Sequence, residues 1–319
     1  MVKSGCFDST RKDAMIWLVA AVAVAIVWVS LAPRFLGDGK LPLYGGALLL
    51  AGPFLFYQYA TMFSLFYYPD SMLYDTPARA GLDYEKVFFD SADGTRLSGW
   101  FIPAAGLANP RSAKGTVVHF HGNAQNMTAH WNFVDWLPAR GFNLFVFDYR
   151  GYGESNGKPE PKGVFEDSVA ALEYVRSRPD VDGGRLLVFG QSLGGTTAIA
   201  AAGASPKGVR AVAAEAPFYS YSKIANDHFP GAGRLAESVD RYSASEYVAA
   251  LSPIPLLLLH GTADQVVPYP HSPALLEKAG EPKRLVTIEG GEHVDTFSPR
   301  YRMRYHDELA AFFDQALAR

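Results

Sequence analysis

From residue 85 to the C-terminus, short runs of strand length alternate with longer segments of helical pattern, and this alternation leaves few folds open to the chain. The strand-like runs are Glu85–Ser91, Thr95–Ile102, Thr116–Phe120, Phe142–Phe147, Arg185–Phe189, Val209–Ala214, Pro255–Leu259 and Arg284–Ile288. Helical candidates lie near 126–138, 163–177, 193–204, 271–279 and 300–318. Several of the runs are apolar throughout, so they have no face for solvent, and such strands belong in parallel sheets covered on both sides by helices. The first two runs differ, because the Ala92-Asp93-Gly94 turn between them is a hairpin signal. The expectation is an α/β fold with about eight mostly parallel strands, helices on both faces and an antiparallel hairpin leading in. No internal repeat or low-complexity segment interrupts it.

Composition removes other classes. The 319 residues are 49% hydrophobic and 13% aromatic, a folding composition rather than a disordered one. A net charge of −3 without any Lys/Arg-rich run gives no footprint for nucleic acid. The single cysteine, Cys6, allows neither an intrachain disulfide nor a cysteine zinc site.

The N-terminal part is different in kind. Residues 14–32 (AMIWLVAAVAVAIVWVSLA) and Leu41–Tyr68 carry no charge; the first comes close to the roughly 20 residues that a membrane-crossing helix needs, and the second exceeds it. We therefore expect residues 1–69 to form a membrane anchor, with candidate spans 14–32 and 41–66, ahead of a globular domain over 70–319. A cleaved signal peptide competes for the first segment and a re-entrant hairpin for the second. Lys3, Arg11 and Lys12 before the first span outnumber Arg34 and Lys40 after it, which favours a cytoplasmic N-terminus. The globular domain then faces the cytoplasm with two spans and the outside with one.

Chemistry concentrates after the strand-like runs. RLLVFG passes into Gly190-Gln191-Ser192-Leu193-Gly194 and on into the small-residue segment GTTAIAAA. A G-x-S-x-G turn between strand and helix lifts the serine hydroxyl clear of the sheet, with glycines where the backbone must come close. A serine hydroxyl needs a base and a group to orient that base, in the chain order Ser, acid, His. Asp264 stands 72 residues beyond Ser192, just past LLLLHG, and His293 a further 29 residues on, in Gly290-Gly291-Glu292-His293. Glu215, at the end of another strand-like run, is the competing acid. Backbone N–H groups of Leu193 and of Asn123, in the His121-Gly122-Asn123 turn, are the candidates for stabilising an oxyanion. A metal at His119 and His121 is the alternative use of that turn, but no further ligand stands at suitable spacing. Neither metal nor cofactor is expected.

The segments FHGNAQN (120–126), FDYRGYGES (147–155), GQSLGG (190–195), HGTADQVVP (260–268), GGEHVD (290–295) and the junction FYYPD (66–70) together resemble a known family. They resemble the membrane-tethered α/β-hydrolases, a group similar to depalmitoylating thioesterases, lysophospholipid lipases and their bacterial relatives. The resemblance implies the α/β-hydrolase fold and serine hydrolase activity on ester or thioester acyl groups through an acyl-enzyme, with Ser192, His293 and Asp264 as the triad. The cysteine cluster that lipid-anchors the depalmitoylases is missing here. Asp148-Tyr149-Arg150-Gly151 reads as scaffold under the site. Residues 216–252 read as a short lid, with Phe218, Tyr219, Tyr221 and Phe229 either lining its rim or packing it to the sheet. The expected partner is a small or lipid-like acyl ester at a membrane. A peptidase or amidase on the same triad and a non-catalytic membrane scaffold are the alternatives.

Overall fold

In the computed structural model, which describes residues 66–319 apart from residue 299, the strand-like runs form one sheet of eight strands. They are β1 (Glu85–Asp90), β2 (Arg96–Ile102), β3 (Thr116–Phe120) and β4 (Asn143–Asp148), followed by β5 (Leu186–Gln191), β6 (Val209–Glu215), β7 (Leu256–Gly261) and β8 (Lys283–Ile288). Their order in space is β8-β7-β6-β5-β3-β4-β2-β1. β2 runs antiparallel to both its neighbours, β1 and β4, and the remaining pairs are parallel. This is the α/β architecture expected from the alternation.

Among the described residues, the five helices of eight residues or more are α1 (Pro161–Ser177), α2 (Leu193–Ala204), α3 (Tyr221–His228), α4 (His271–Lys278) and α5 (Arg302–Leu317). Their starts follow from local chemistry. Pro161 opens α1 behind Glu160, whose carboxylate accepts from the N–H groups of Lys162 and Gly163, and Ser220 caps α3 by accepting from Lys223 N–H. Successive strand residues then serve opposite faces. Val117, Leu144, Leu187, Phe189, Ala211 and Leu257 join one core with Leu309, Phe312 and Phe313 of α5. Their neighbours Val118, Phe145, Val188, Val212 and Leu258 are equally buried on the other face, where α1 and α2 pack together.

One expected helix is not continuous. Over 126–138 the chain forms a single turn, Met127–His130, then a 3₁₀ turn at Trp131–Phe133 and another at Pro138–Arg140. The reason lies in the spacing: Trp131, Val134 and Leu137 are all buried in the same core, and a series of positions each three apart lines up on one side only when the chain winds at three residues per turn. The candidate spans 14–32 and 41–66 lie outside the described residues apart from Phe66. Among the described residues no helix is long and apolar enough to cross a membrane.

The lower scaffold is tied by Arg150, placed just after β4. Its guanidinium donates to Asp167 of α1 at 2.8 Å and to Asp93 of the β1–β2 turn at 2.9 Å, and its N–H donates to Asp167 at 2.8 Å. Asp167 is fully buried. Asp167→Ala is therefore expected to lower stability by about 3–5 kcal/mol, because it strands a buried guanidinium. Asp93→Ala, at the exposed end of the same guanidinium, is expected to cost far less. Urea denaturation of the two variants checks the difference.

Candidate active site

The strand register brings the carboxyl ends together. Phe120 pairs with Gly190, Gln191 with Glu215, Glu215 with Leu259, and Gly261 with Ile288, so the turns after β3, β5, β6, β7 and β8 rise from one edge. The segment after β3 goes to the α5 face and α2, after β5, goes to the other. Adjacent strands whose connections part in this way leave a crevice between them, the usual ligand position in open α/β sheets.

Ser192 stands at that crevice between β5 and α2, with φ 57° and ψ −121°. A left-handed φ on a serine is strained, of order 1–3 kcal/mol, and persists only where its surroundings enforce it. Here Ser192 N–H donates to the Glu215 carbonyl at 2.8 Å, while Thr196 N–H donates back to the Ser192 carbonyl at 3.2 Å. The turn closes only because Gly190 and Gly194 lack side chains. A Cβ on Gly190 would run into the Gly194 carbonyl, and one on Gly194 into the carbonyls of Phe120 and His121.

Three side chains are linked at this point. Ser192 Oγ lies 2.9 Å from His293 Nε2, and His293 Nδ1 lies 2.7 Å from Asp264 Oδ2. Since a carboxylate only accepts, Nδ1 carries the proton and Nε2 is left to accept from the serine hydroxyl. The other oxygen of Asp264 accepts from Val266 N–H at 2.8 Å and Val267 N–H at 2.9 Å. Burial opposes ionisation of Asp264, but hydrogen bonds involving His260, His293 and the Val267 amide outweigh it and hold the carboxyl well below the usual range. His260, near the end of β7, has its Nε2 2.8 Å from the Val267 carbonyl and 3.3 Å from Asp264 Oδ2. It braces the Asp264 loop, and its ring nitrogens bond away from Ser192.

Glu215 occupies a different position. Its buried carboxylate accepts from Gln191 Nε2 at 2.7 Å and from Thr296 N–H at 2.8 Å, and burial raises its pKa. The same Gln191 has its Oε1 3.2 Å from His119 Nε2, and burial drives the His119 pKa down to about 3. A neutral imidazole there donates to the amide oxygen. The side chains of Glu215, Gln191 and His119 thus form a polar layer beneath the elbow, joined to the loop that carries His293. In the sequence Glu215 stands as the competing acid, His119 as a candidate metal ligand and Gln191 as a member of the elbow motif; that the three bond to one another depends on partners across the sheet.

Leu193 is the first residue of α2, and the turn holding Asn123 lies against the elbow through the contact of Gly194 with Phe120 and His121. His121 Nδ1 is 2.7 Å from the Gly122 carbonyl, to which it can only donate. One ring nitrogen of each of His119 and His121 is thus bonded within the protein, and among the described residues no group of three or more His, Cys, Asp or Glu side chains could hold a metal. In the segment 216–252, Phe218 and Tyr221 are buried and packed edge to face at 5.1 Å, and Phe218 N–H and C=O are both bonded to Thr196 Oγ1. These two rings are scaffold, while Tyr219 and Phe229 remain half-buried.

The profile of the prolyl oligopeptidase family matches residues 127–319. The uncharacterized protein YfhR of Salmonella typhimurium is 48% identical over 264 residues, which is 79% of this chain and 88% of that one. The α/β-hydrolase domain-containing protein WAV2 of Arabidopsis thaliana is 34% identical, covering 70% of this chain and 76% of that one. Among solved structures, the Pyrococcus furiosus esterase Pf2001 superposes with a TM-score of 0.62 at 20% identity, over 79% of this chain and 97% of the esterase. That likeness is one of fold.

Because Asp264 is held below its ordinary value in the folded chain, its carboxylate adds stability that is complete above the unfolded value near pH 3.9 and is lost as pH falls through the folded one. The stability gap between the natural protein and Asp264→Asn is therefore expected to be widest at neutral pH. It should narrow below about pH 4. Urea midpoints of both proteins across the acid range test the sign.

Proposed function

The chain belongs to the prolyl oligopeptidase family of α/β-hydrolases, and from that premise we propose that it is a serine hydrolase cleaving carboxylic ester or thioester acyl bonds. The observation that carries this reading is the unbroken chain of hydrogen-bond distances, 2.9 Å from Ser192 Oγ to His293 Nε2 and 2.7 Å from His293 Nδ1 to Asp264. In the proposed cycle Ser192 Oγ attacks the acyl carbon as its proton passes to His293 Nε2. Asp264 holds the ring in that tautomer and stabilises the imidazolium. The N–H groups of Leu193 and Asn123 take the charge that develops on the carbonyl oxygen. The intermediate collapses to an acyl-enzyme, the departing alkoxide or thiolate receives the proton from Nε2, and water repeats the sequence to release the acid.

Amide hydrolysis is the second reading, and the family match favours considering it. The ester reading is preferred on the lid, whose half-buried Tyr219 and Phe229 present aromatic surface suited to an acyl chain. The uncharged segments 14–32 and 41–66 add the proposal that this activity is tethered to a membrane.

Fluorophosphonate labelling of the natural protein is expected, with labelling and p-nitrophenyl ester turnover lost by about 10⁴-fold or more in Ser192→Ala and His293→Ala. Undiminished turnover in Ser192→Ala would rule the reading out, and faster cleavage of a matched anilide than of the ester would move it to the amidase. In cells, the full chain is expected to stay in the pellet after alkaline carbonate extraction; release into the supernatant would count against the tether.

A further inference from the structure

We propose that the strap Tyr67–Tyr74, which leads into the sheet domain, is a working part of the active site: it orients the Asn123 N–H by pinning the peptide that follows it. The proposal rests on the reading of Asn123 as an oxyanion donor.

Tyr68–Pro69 form a two-stranded parallel pair with Ala124–Gln125, separate from the main sheet. Tyr68 N–H donates to the Asn123 carbonyl at 2.8 Å, and Tyr152 Oη–H donates to the same oxygen at 2.7 Å. On the other side, His121 Nδ1–H donates to the Gly122 carbonyl at 2.7 Å. The Gly122 carbonyl and the Asn123 N–H belong to one rigid peptide plane. His121 thus holds the plane before the Asn123 Cα, while Tyr68 and Tyr152 hold the plane after it. With both planes anchored, the Asn123 N–H has one direction.

The strap does more than touch the turn. Asp70 N–H donates to the Gln125 carbonyl at 3.2 Å, and Gln125 has φ 63°, a left-handed backbone on a non-glycine residue that needs such outside support. Asn126 Nδ2 donates at 2.8 Å both to Asp70 Oδ1 and to the Met72 carbonyl, and Asn126 Oδ1 caps the Met127–His130 turn through Thr128 N–H. Gly153 N–H donates to the Asp70 carbonyl at 2.8 Å. Tyr67 Oη meets Tyr221 Oη, at the start of α3, at 2.7 Å. The strap therefore fastens the Asn123 turn, the loop after β4 and the lid helix to one another. A segment that merely bridged two parts of a chain would have no need to aim its backbone donors at that turn. An oxyanion donor works only if aimed at the reacting oxygen, and loss of one typically costs 10²–10³ in rate.

Tyr68→Pro removes the strap's N–H in an extended segment that a proline tolerates, and Tyr152→Phe removes the second donor to the same carbonyl. In the full-length protein in detergent, each is expected to lower kcat on a p-nitrophenyl ester about 10-fold, with KM changed less than about twofold, since the donor acts on the transition state. Affinity for an alkyl boronic acid, whose tetrahedral adduct uses the same donors, should fall by a similar factor. Hydrogen–deuterium exchange over residues 121–128 should quicken in Tyr68→Pro. Asp167→Ala, remote from the site, supplies the comparison: a purely structural strap would reduce activity only as that variant does, in step with lost stability. Natural kcat in both strap variants, or unchanged exchange over 121–128 in Tyr68→Pro, overturns the proposal. If the natural protein neither turns over esters nor binds the boronic acid, the hydrolase reading fails instead, and the exchange data alone decide whether the strap holds the turn.

Discussion

The contact between the β5–α2 elbow and the end of β3 is made by backbone on backbone, and the rest of the site depends on it. Gly190 faces the Gly194 carbonyl, and Gly194 faces the carbonyls of Phe120 and His121. No side chain fits at either place, so the turn can be as tight as peptide geometry allows. That tightness holds Ser192 at a positive φ and sets the Asn123 turn beside the first residue of α2. It also buries α2: Gly203 sits so near the Tyr247 backbone that a Cβ would come within 2.7 Å of its carbonyl oxygen. A helix of larger residues could not leave the elbow in that direction.

The parallel register spreads this local constraint over the sheet. Ser192 N–H reaches the backbone of Glu215 on β6, and the Glu215 carboxylate reaches the Thr296 N–H beyond His293. His293 is thus held on two sides, by Asp264 through its ring and by Glu215 through its loop. Burial sets the protonation of this layer, since a charged His119 would have no solvent to stabilise it. Above the strand ends, α3 is fastened to the Asp264 loop by His228 Nε2–H donating to the Val266 carbonyl at 2.8 Å, and to the start of α4 by Asp227 Oδ2, 2.7 Å from His271 Nε2. The second half of the 216–252 insertion packs on α1, with Phe165 stacked on Tyr247 at 5.2 Å.

Much of the fold was legible because its signals are local. Apolar runs such as Thr116–Phe120 and Arg185–Phe189 differ from the observed strands by no more than two residues at either end, since a strand buried on both faces must be apolar throughout. The Asp-Gly hairpin between β1 and β2 and the glycines of the elbow were readable for the same reason, a turn geometry that few residues satisfy. The 126–138 segment was misjudged as one helix because apolar spacings of three and four mix there, and only the depth of the core selects the 3₁₀ turns. Phe218 and Tyr221 could have been rim or scaffold in sequence; burial of both rings against each other decides for scaffold, with Thr196 of α2 holding the Phe218 backbone.

The sequence by itself determined the alternation of strand and helix, the elbow and the order of Ser192, Asp264 and His293 along the chain, because each is written in neighbouring residues. Tertiary structure decided which carboxylate reaches His293 Nδ1. Asp264 and Glu215 both follow buried strands, and only the register of β6 against β5 and β7 turns Glu215 toward Gln191 and Thr296. It also decided that Tyr68 answers Asn123. A two-residue pairing between distant segments leaves no pattern in either one, and its hydrogen bonds come from the backbone, which every sequence supplies alike.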